Sequence, residues 1–111
     1  MELKIDRVGE WKVLRVGENR LDAFVAEGLK QALTEAIGDG TKKVVVDLSA
    51  VKFMDSSGLG ALVFGRQRLE TGGNLALCGV QPEVETILRL TRLDRVFQVI
   101  DGLECVVEKT E

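Results

Sequence analysis

The chain of 111 residues has no histidine, only two cysteines and a single proline. Without histidine there is no Ser-His-Asp triad, and two isolated cysteines make neither a disulfide framework nor a tetrahedral metal site. The G-x-S-x-G elbow of hydrolases and the Walker A phosphate loop are also missing. No apolar run approaches the roughly 18 residues of a membrane span, and the N-terminus lacks a basic-then-apolar leader pattern. A cytoplasmic location without membrane insertion is therefore expected. A net charge of -3 and the lack of a basic cluster argue against a nucleic-acid surface. What remains is a non-enzymatic protein that works through protein partners, with no cofactor or metal.

Hydrophobic residues make up 45% and charged residues 30%, a globular balance that at this length suits one domain spanning 1–111. Leu3 to Val8 alternates apolar and charged residues, Gly9-Glu10 turns the chain, and Trp11 to Val16 supplies the return strand of an antiparallel hairpin. Gly17 to Arg20 reads as a polar loop. Asp22 is a credible N-cap for a helix whose inner face is Val25, Leu29, Ala32, Leu33 and Ala36, ending at Gly38-Asp39-Gly40. Val44-Val45-Val46 with Leu48 is unbroken and β-branched, the mark of a strand buried on both faces of a parallel sheet. Asp47 within it must find donors, and the amides of Ser49 to Lys52 are expected to supply them.

The stretch from Val44 to Gly60, VVVDLSAVKFMDSSGLG, runs from this strand through a short loop to a helix start. Asp55, Ser56 or Ser57 can each cap the helix, and Gly58 and Gly60 are expected to leave its backbone uncovered. A carboxylate and two hydroxyls thus stand at the positive end of a helix dipole, where a phosphate is tolerated. The helix is expected from about Ser57 to Glu70, with Gly58, Ala61, Leu62, Gly65 and Leu69 inward. Leu59 and Val63 fall on a flank and Phe64 nearly opposite. Either neighbouring helices cover them or they form a patch for a partner. The pair Gly58-Leu59-Gly60 does not complete a dinucleotide fingerprint, since Val63 stands at the third glycine position and no acid follows close to twenty residues on.

Leu75 to Val80 is the next buried strand, Pro82 opens a third helix with Val84, Ile87, Leu88 and Thr91 inward, and Val96 to Ile100 is a short final strand. Leu103 to Lys109 reads as a last helix or strand. Cys78 and Cys105 lie in apolar runs and read as small core residues. The order ββαβαβαβα implies an α/β mixed sheet, antiparallel in its N-terminal hairpin, parallel in its later strands and covered by about four helices.

The octet Phe53-Met54-Asp55-Ser56-Ser57-Gly58-Leu59-Gly60 resembles the signature of STAS domains, specifically of bacterial anti-sigma factor antagonists. Leu21-Asp22-Ala23 and Leu90-Thr91-Arg92-Leu93-Asp94 extend the resemblance from Leu3 to about Val107. The resemblance implies a STAS-like fold and a partner-switching circuit. In it an anti-sigma factor that is also a serine kinase phosphorylates Ser57, a serine phosphatase restores it, and the unphosphorylated antagonist binds the anti-sigma factor to release sigma. It places Asp22, Asp55, Ser56 and Gly58 around the phosphorylated residue, with Ser56 as a cap rather than the acceptor. Leu59, Gly60, Val63 and Phe64 would face the partner. Alternatives are a STAS scaffold or transporter-associated subunit not controlled by phosphate and, more remotely, a small nucleotide-binding protein. The resemblance departs at Arg92, where a glycine is common and the left-handed cap suits arginine poorly, and at Gln98, where a proline is common.

Overall fold

The computed structural model describes residues 3–69 and 73–100. The chain forms β1 (Leu3–Val8), β2 (Trp11–Val16), β3 (Arg20–Leu21), α1 (Ala23–Ile37), β4 (Lys43–Asp47) and β5 (Phe53–Met54). It continues through α2 (Ser56–Arg68), β6 (Asn74–Cys78), α3 (Pro82–Leu90), one turn of 3-10 helix (Leu93–Arg95) and β7 (Gln98–Ile100). Five strands make one sheet in the order β1-β2-β4-β6-β7, while β3 and β5 pair apart from it.

Among the described residues only β1 and β2 pair antiparallel, with Leu3 opposite Val16 and Val8 opposite Trp11; β2, β4, β6 and β7 are mutually parallel. The inner strands are buried on both faces, as the unbroken valine run requires. On one face Leu14, Val16, Val44, Val46, Leu75 and Leu77 meet the buried sides of α1, α2 and α3. On the other, Trp11, Val13, Val45, Ala76 and Cys78 form a smaller cluster. A buried aliphatic side chain of this kind contributes about 1.5–3 kcal/mol, so the sheet and the inner helix faces carry most of the stability.

The helices follow from their caps and spacing. Asp22 starts α1 by accepting from the Val25 N–H at 3.2 Å, and the expected inner set is buried together with Ala26. At the other end Lys12 reaches from β2 to the Ala36 carbonyl at 2.9 Å and to Asp39 at 2.6 Å, placing a cation at the negative end of the helix dipole. α2 lies close against α1 through Gly65, where a β-carbon would stand 2.7 Å from Leu33 Cδ1. Pro82 occupies the first turn of α3, whose buried residues are Val84 and Leu88.

Several expectations change. There are three α-helices among the described residues where about four were expected; the fourth was assigned to Leu103 to Lys109, which with Cys105 lies outside those residues. Arg20, read as loop, starts β3, because Leu21 is buried and pairs with Met54. The final strand starts at Gln98 rather than Val96, since the chain first makes the 3-10 turn and buries Phe97. Asp47 binds only the Ser49 amide, at 3.0 Å, and its other oxygen takes Arg15 Nη1 at 3.2 Å, a cross-strand partner that becomes visible once β2 and β4 are paired.

Candidate functional site

The short β3–β5 pair builds the site. Arg20 stands opposite Phe53 and Leu21 opposite Met54 in parallel register, so the next residues on the two strands are Asp22 and Asp55. The two segments are laced together by the Lys52 and Phe53 N–H groups, which donate to the Asn19 carbonyl at 2.8 and 3.1 Å, and by Asp55 N–H to the Leu21 carbonyl at 3.4 Å. Each aspartate then opens a helix. The N-termini of α1 and α2, with their positive dipole ends, are therefore held side by side.

Asp55 is the cap of α2. Its Oδ1 accepts from Ser57 N–H at 2.9 Å and from Gly58 N–H at 3.1 Å, with extended backbone at φ -105° and ψ -172°. Ser56, expected as a cap, is instead the first residue inside the helix and exposed, because the aspartate one residue earlier already reaches both amides. Ser57 follows in the first turn and is half-buried. Asp22 repeats the arrangement on α1.

Gly58 is buried rather than uncovered. A β-carbon there would lie 2.7 Å from the Leu21 carbonyl oxygen and 2.7 Å from Met54 Cγ, so its bare backbone lets α2 sit on the β3–β5 pair. Gly60 is the opposite case, exposed and with no atom within 4 Å of where its β-carbon would be. Leu59 and Val63 are half-buried against the core. Phe64 is half-buried too, with Lys30 Nζ 5.8 Å and the Arg68 guanidinium 5.4 Å from its ring centroid. Of the four residues expected to face a partner, Gly60 is the exposed one.

The exposed apolar surface here comes from two residues that sequence reasoning missed. Phe24, in the first turn of α1, is 78% exposed, and Phe53, two residues before Asp55, is 41% exposed with Arg20 stacked 4.5 Å from its ring centroid. Phe24 carried a legible signal, since it falls outside the inner set of α1 and is still a large aromatic. Phe53 carried none, because its strand is only two residues long.

The STAS domain family model matches residues 2–105. The chain belongs to the STAS domain family. This STAS domain is 32% identical over 106 residues to the anti-sigma F factor antagonist of Paenibacillus polymyxa, covering 92% of this chain and 90% of that one. It is 31% identical over 107 residues to the anti-sigma-B factor antagonist of Staphylococcus aureus, covering 94% and 98%. Among solved structures, the anti-sigma factor antagonist from Mycobacterium paratuberculosis superposes with a TM-score of 0.87 at 25% identity, covering 98% of this chain and 92% of that chain. The Bacillus cell fate determinant SpoIIAA in its phosphorylated form shares the fold, with a TM-score of 0.73 at 22% identity over 95% and 96% of the two chains. No helix among the described residues of the STAS domain is long and apolar enough to cross a membrane, and no three of their histidine, cysteine, aspartate or glutamate side chains group to hold a metal ion.

Proposed function

We propose that this STAS domain is an anti-sigma factor antagonist whose binding to an anti-sigma factor is switched off by phosphorylation of Ser57. One observation carries the reading: β3 and β5 join the two helix starts so that Ser57, two aspartate caps and the exposed rings of Phe24 and Phe53 share one corner. Full-length similarity to proteins named for this antagonism supports the partner class.

The electrostatics of the corner give the switch its sign. A phosphate on Ser57 adds about -1.5 to -2 charges at neutral pH. A bare helix N-terminus would absorb them, but the Ser57 and Gly58 amides already bind Asp55. The added charge therefore stands beside a carboxylate that has taken its donors, and it stays on the surface. A partner seated on Phe24, Phe53 and Gly60 must then desolvate a phosphate next to Asp55. Losing about 3 kcal/mol in this way weakens binding by about a hundredfold, with no change of fold.

An anti-sigma factor that is itself a serine kinase would add the phosphate, and a serine phosphatase would remove it. Asp22 and Asp55 position the serine, Ser56 and Gly58 shape the turn, and Leu59, Val63 and Phe64 support the contact from the flank. The test begins with phosphopeptide mapping of the protein from its native cells in growth and under stress. Ser57→Ala and Ser57→Asp are then titrated against the captured partner. The reading expects condition-dependent phosphate on Ser57, retained binding by the alanine variant and about a hundredfold loss in the aspartate variant. Equal binding by both variants, or no phosphate under any condition, rejects it in favour of a constitutive scaffold.

A further inference from the structure

Gln81 stands at the N-cap of α3, with extended backbone at φ -76°, ψ 154° and its carbonyl accepting the Glu85 N–H at 2.8 Å. Serine, threonine, aspartate or asparagine in that place would turn a side-chain oxygen back onto the first-turn amides. Gln81 makes no such bond. Its Nε2 instead donates at 2.7 Å to the carbonyl of Ser49, 32 residues away in the chain. The side chain thus leaves its own helix and binds the loop between β4 and β5.

That loop, 48–52, lies against the turn that leads from β6 into α3. Leu48 N–H donates to the Cys78 carbonyl at 2.9 Å, just past the last β4–β6 residue pair. Gly79 turns the chain at φ 66°, and a β-carbon on it would stand 2.7 Å from Ser49 Cβ, so loop and turn are in close contact. Ser49 is exposed, yet both of its backbone groups are held, the N–H by Asp47 at 3.0 Å and the carbonyl by Gln81. From Ser49 the path to the corner is short and has little slack. Val51 is fully buried and its N–H closes on the Leu48 carbonyl at 2.9 Å, while the Lys52 and Phe53 N–H groups both donate to Asn19. Asp55 and Ser57 follow Phe53 by two and four residues. The start of α3 and the Ser57 corner are therefore the two ends of one tethered segment.

We propose that Gln81 is a positioning residue for the partner contact. By holding the Ser49 carbonyl from the start of α3, it keeps loop 48–52 in the arrangement in which Phe53, Asp55 and Ser57 meet the anti-sigma factor. The proposal rests on the reading of the Ser57 corner as that contact. A partner that accepts one arrangement of the loop is bound more weakly in proportion to the fraction of chains that leave it. One neutral hydrogen bond at the surface is worth about two- to fivefold in such an equilibrium.

Gln81→Ser separates positioning from stability, because serine is a better cap for α3 yet too short to reach Ser49. In the full chain this variant is expected to hold or raise the unfolding temperature. It should also speed hydrogen exchange at the Lys52 and Phe53 amides, and weaken binding of the anti-sigma factor co-purified with the unmodified chain, each by about two- to fivefold. Gln81→Lys, which keeps an N–H donor of similar reach, is expected to restore both. A merely structural Gln81 would move the unfolding temperature and leave exchange and affinity where they were, which overturns the proposal. Faster exchange with unchanged affinity overturns it as well. Ser57→Asp is titrated beside these variants. Weakening by Gln81→Ser without weakening by Ser57→Asp rejects the phosphate switch and leaves the positioning role standing, whereas weakening by Ser57→Asp alone rejects the positioning role.

Discussion

Replacing Gly60 with alanine separates what α2 needs from what its surface is for. Glycine inside a helix is worse than alanine by roughly 0.5–1 kcal/mol, because the unfolded chain loses more freedom. Gly58 and Gly65 have a reason to bear that cost, since a β-carbon at either would come within 2.7 Å of a neighbour. Gly60 has none within the fold, as its β-carbon would meet nothing within 4 Å. Gly60→Ala should therefore raise stability by about 0.5–1 kcal/mol, visible as an unfolding temperature higher by several degrees. If a partner lies flat on the exposed backbone, the same methyl group intrudes on a packed contact and costs about 1–3 kcal/mol of binding. That corresponds to an affinity lower by about five- to a hundredfold. Thermal and urea unfolding measure the first effect, and calorimetric titration of the captured anti-sigma factor measures the second. Higher stability with unchanged affinity would remove Gly60 from the contact surface. Lower stability would refute the helix argument itself.

Gly58→Ala should act in the opposite sense, destabilising by about 1–3 kcal/mol in urea unfolding, because the Leu21 carbonyl is backbone and cannot swing away from the new β-carbon. A neutral result would mean that the β3–β5 pair does not seat α2 as described. Asp55→Ala should cost about 1 kcal/mol and speed hydrogen exchange at the Ser57 and Gly58 amides, whereas Asp55→Asn should keep most of the cap. Unaltered exchange at those two amides in the alanine variant would contradict the capping geometry. Burial pushes the Cys78 thiol up to about 12 from an ordinary value of 9.0, with the Asp47 charge acting in the same direction. Between those two values the unfolded chain has lost a proton that the folded chain keeps, so stability should fall as pH rises from about 9 toward 12. Mass mapping after treatment with a thiol reagent should find Cys78 unlabelled until the protein unfolds.

The elements of ordinary length were legible in the sequence because each imposes its own period. Alternation marked β1, the turn after it marked β2 as the return strand, the valine run marked β4, and helical spacing found five of the six buried residues of α1, Ala26 being the one left out. At the corner the residue types were legible and the assignment among them was not. Asp55, Ser56 and Ser57 all carry side-chain oxygens suited to a cap, and only the backbone path decides that Asp55 reaches the amides. Arg92 was legible as a misfit for the left-handed cap, and the fold places it there with φ 61°.

What the sequence hid is the device that assembles the site. β3 and β5 are two residues each, too short for any periodicity, and each is defined only by the other across more than thirty positions of chain. Yet this pair turns two separate helix caps into one surface. Asp22 and Asp55 look like independent capping residues when read along the chain, each worth about 1 kcal/mol to its own helix. Once Leu21 stands opposite Met54, the two capping aspartates and the two positive dipole ends come side by side, with exposed Phe53 two residues before one cap and exposed Phe24 two residues after the other. A charge added at Ser57 then acts on a surface drawn from both helices rather than on the end of one. The β3–β5 pairing thus joins the stability of the helix starts to the response expected on phosphorylation, and a substitution that separates the two strands should disturb both together.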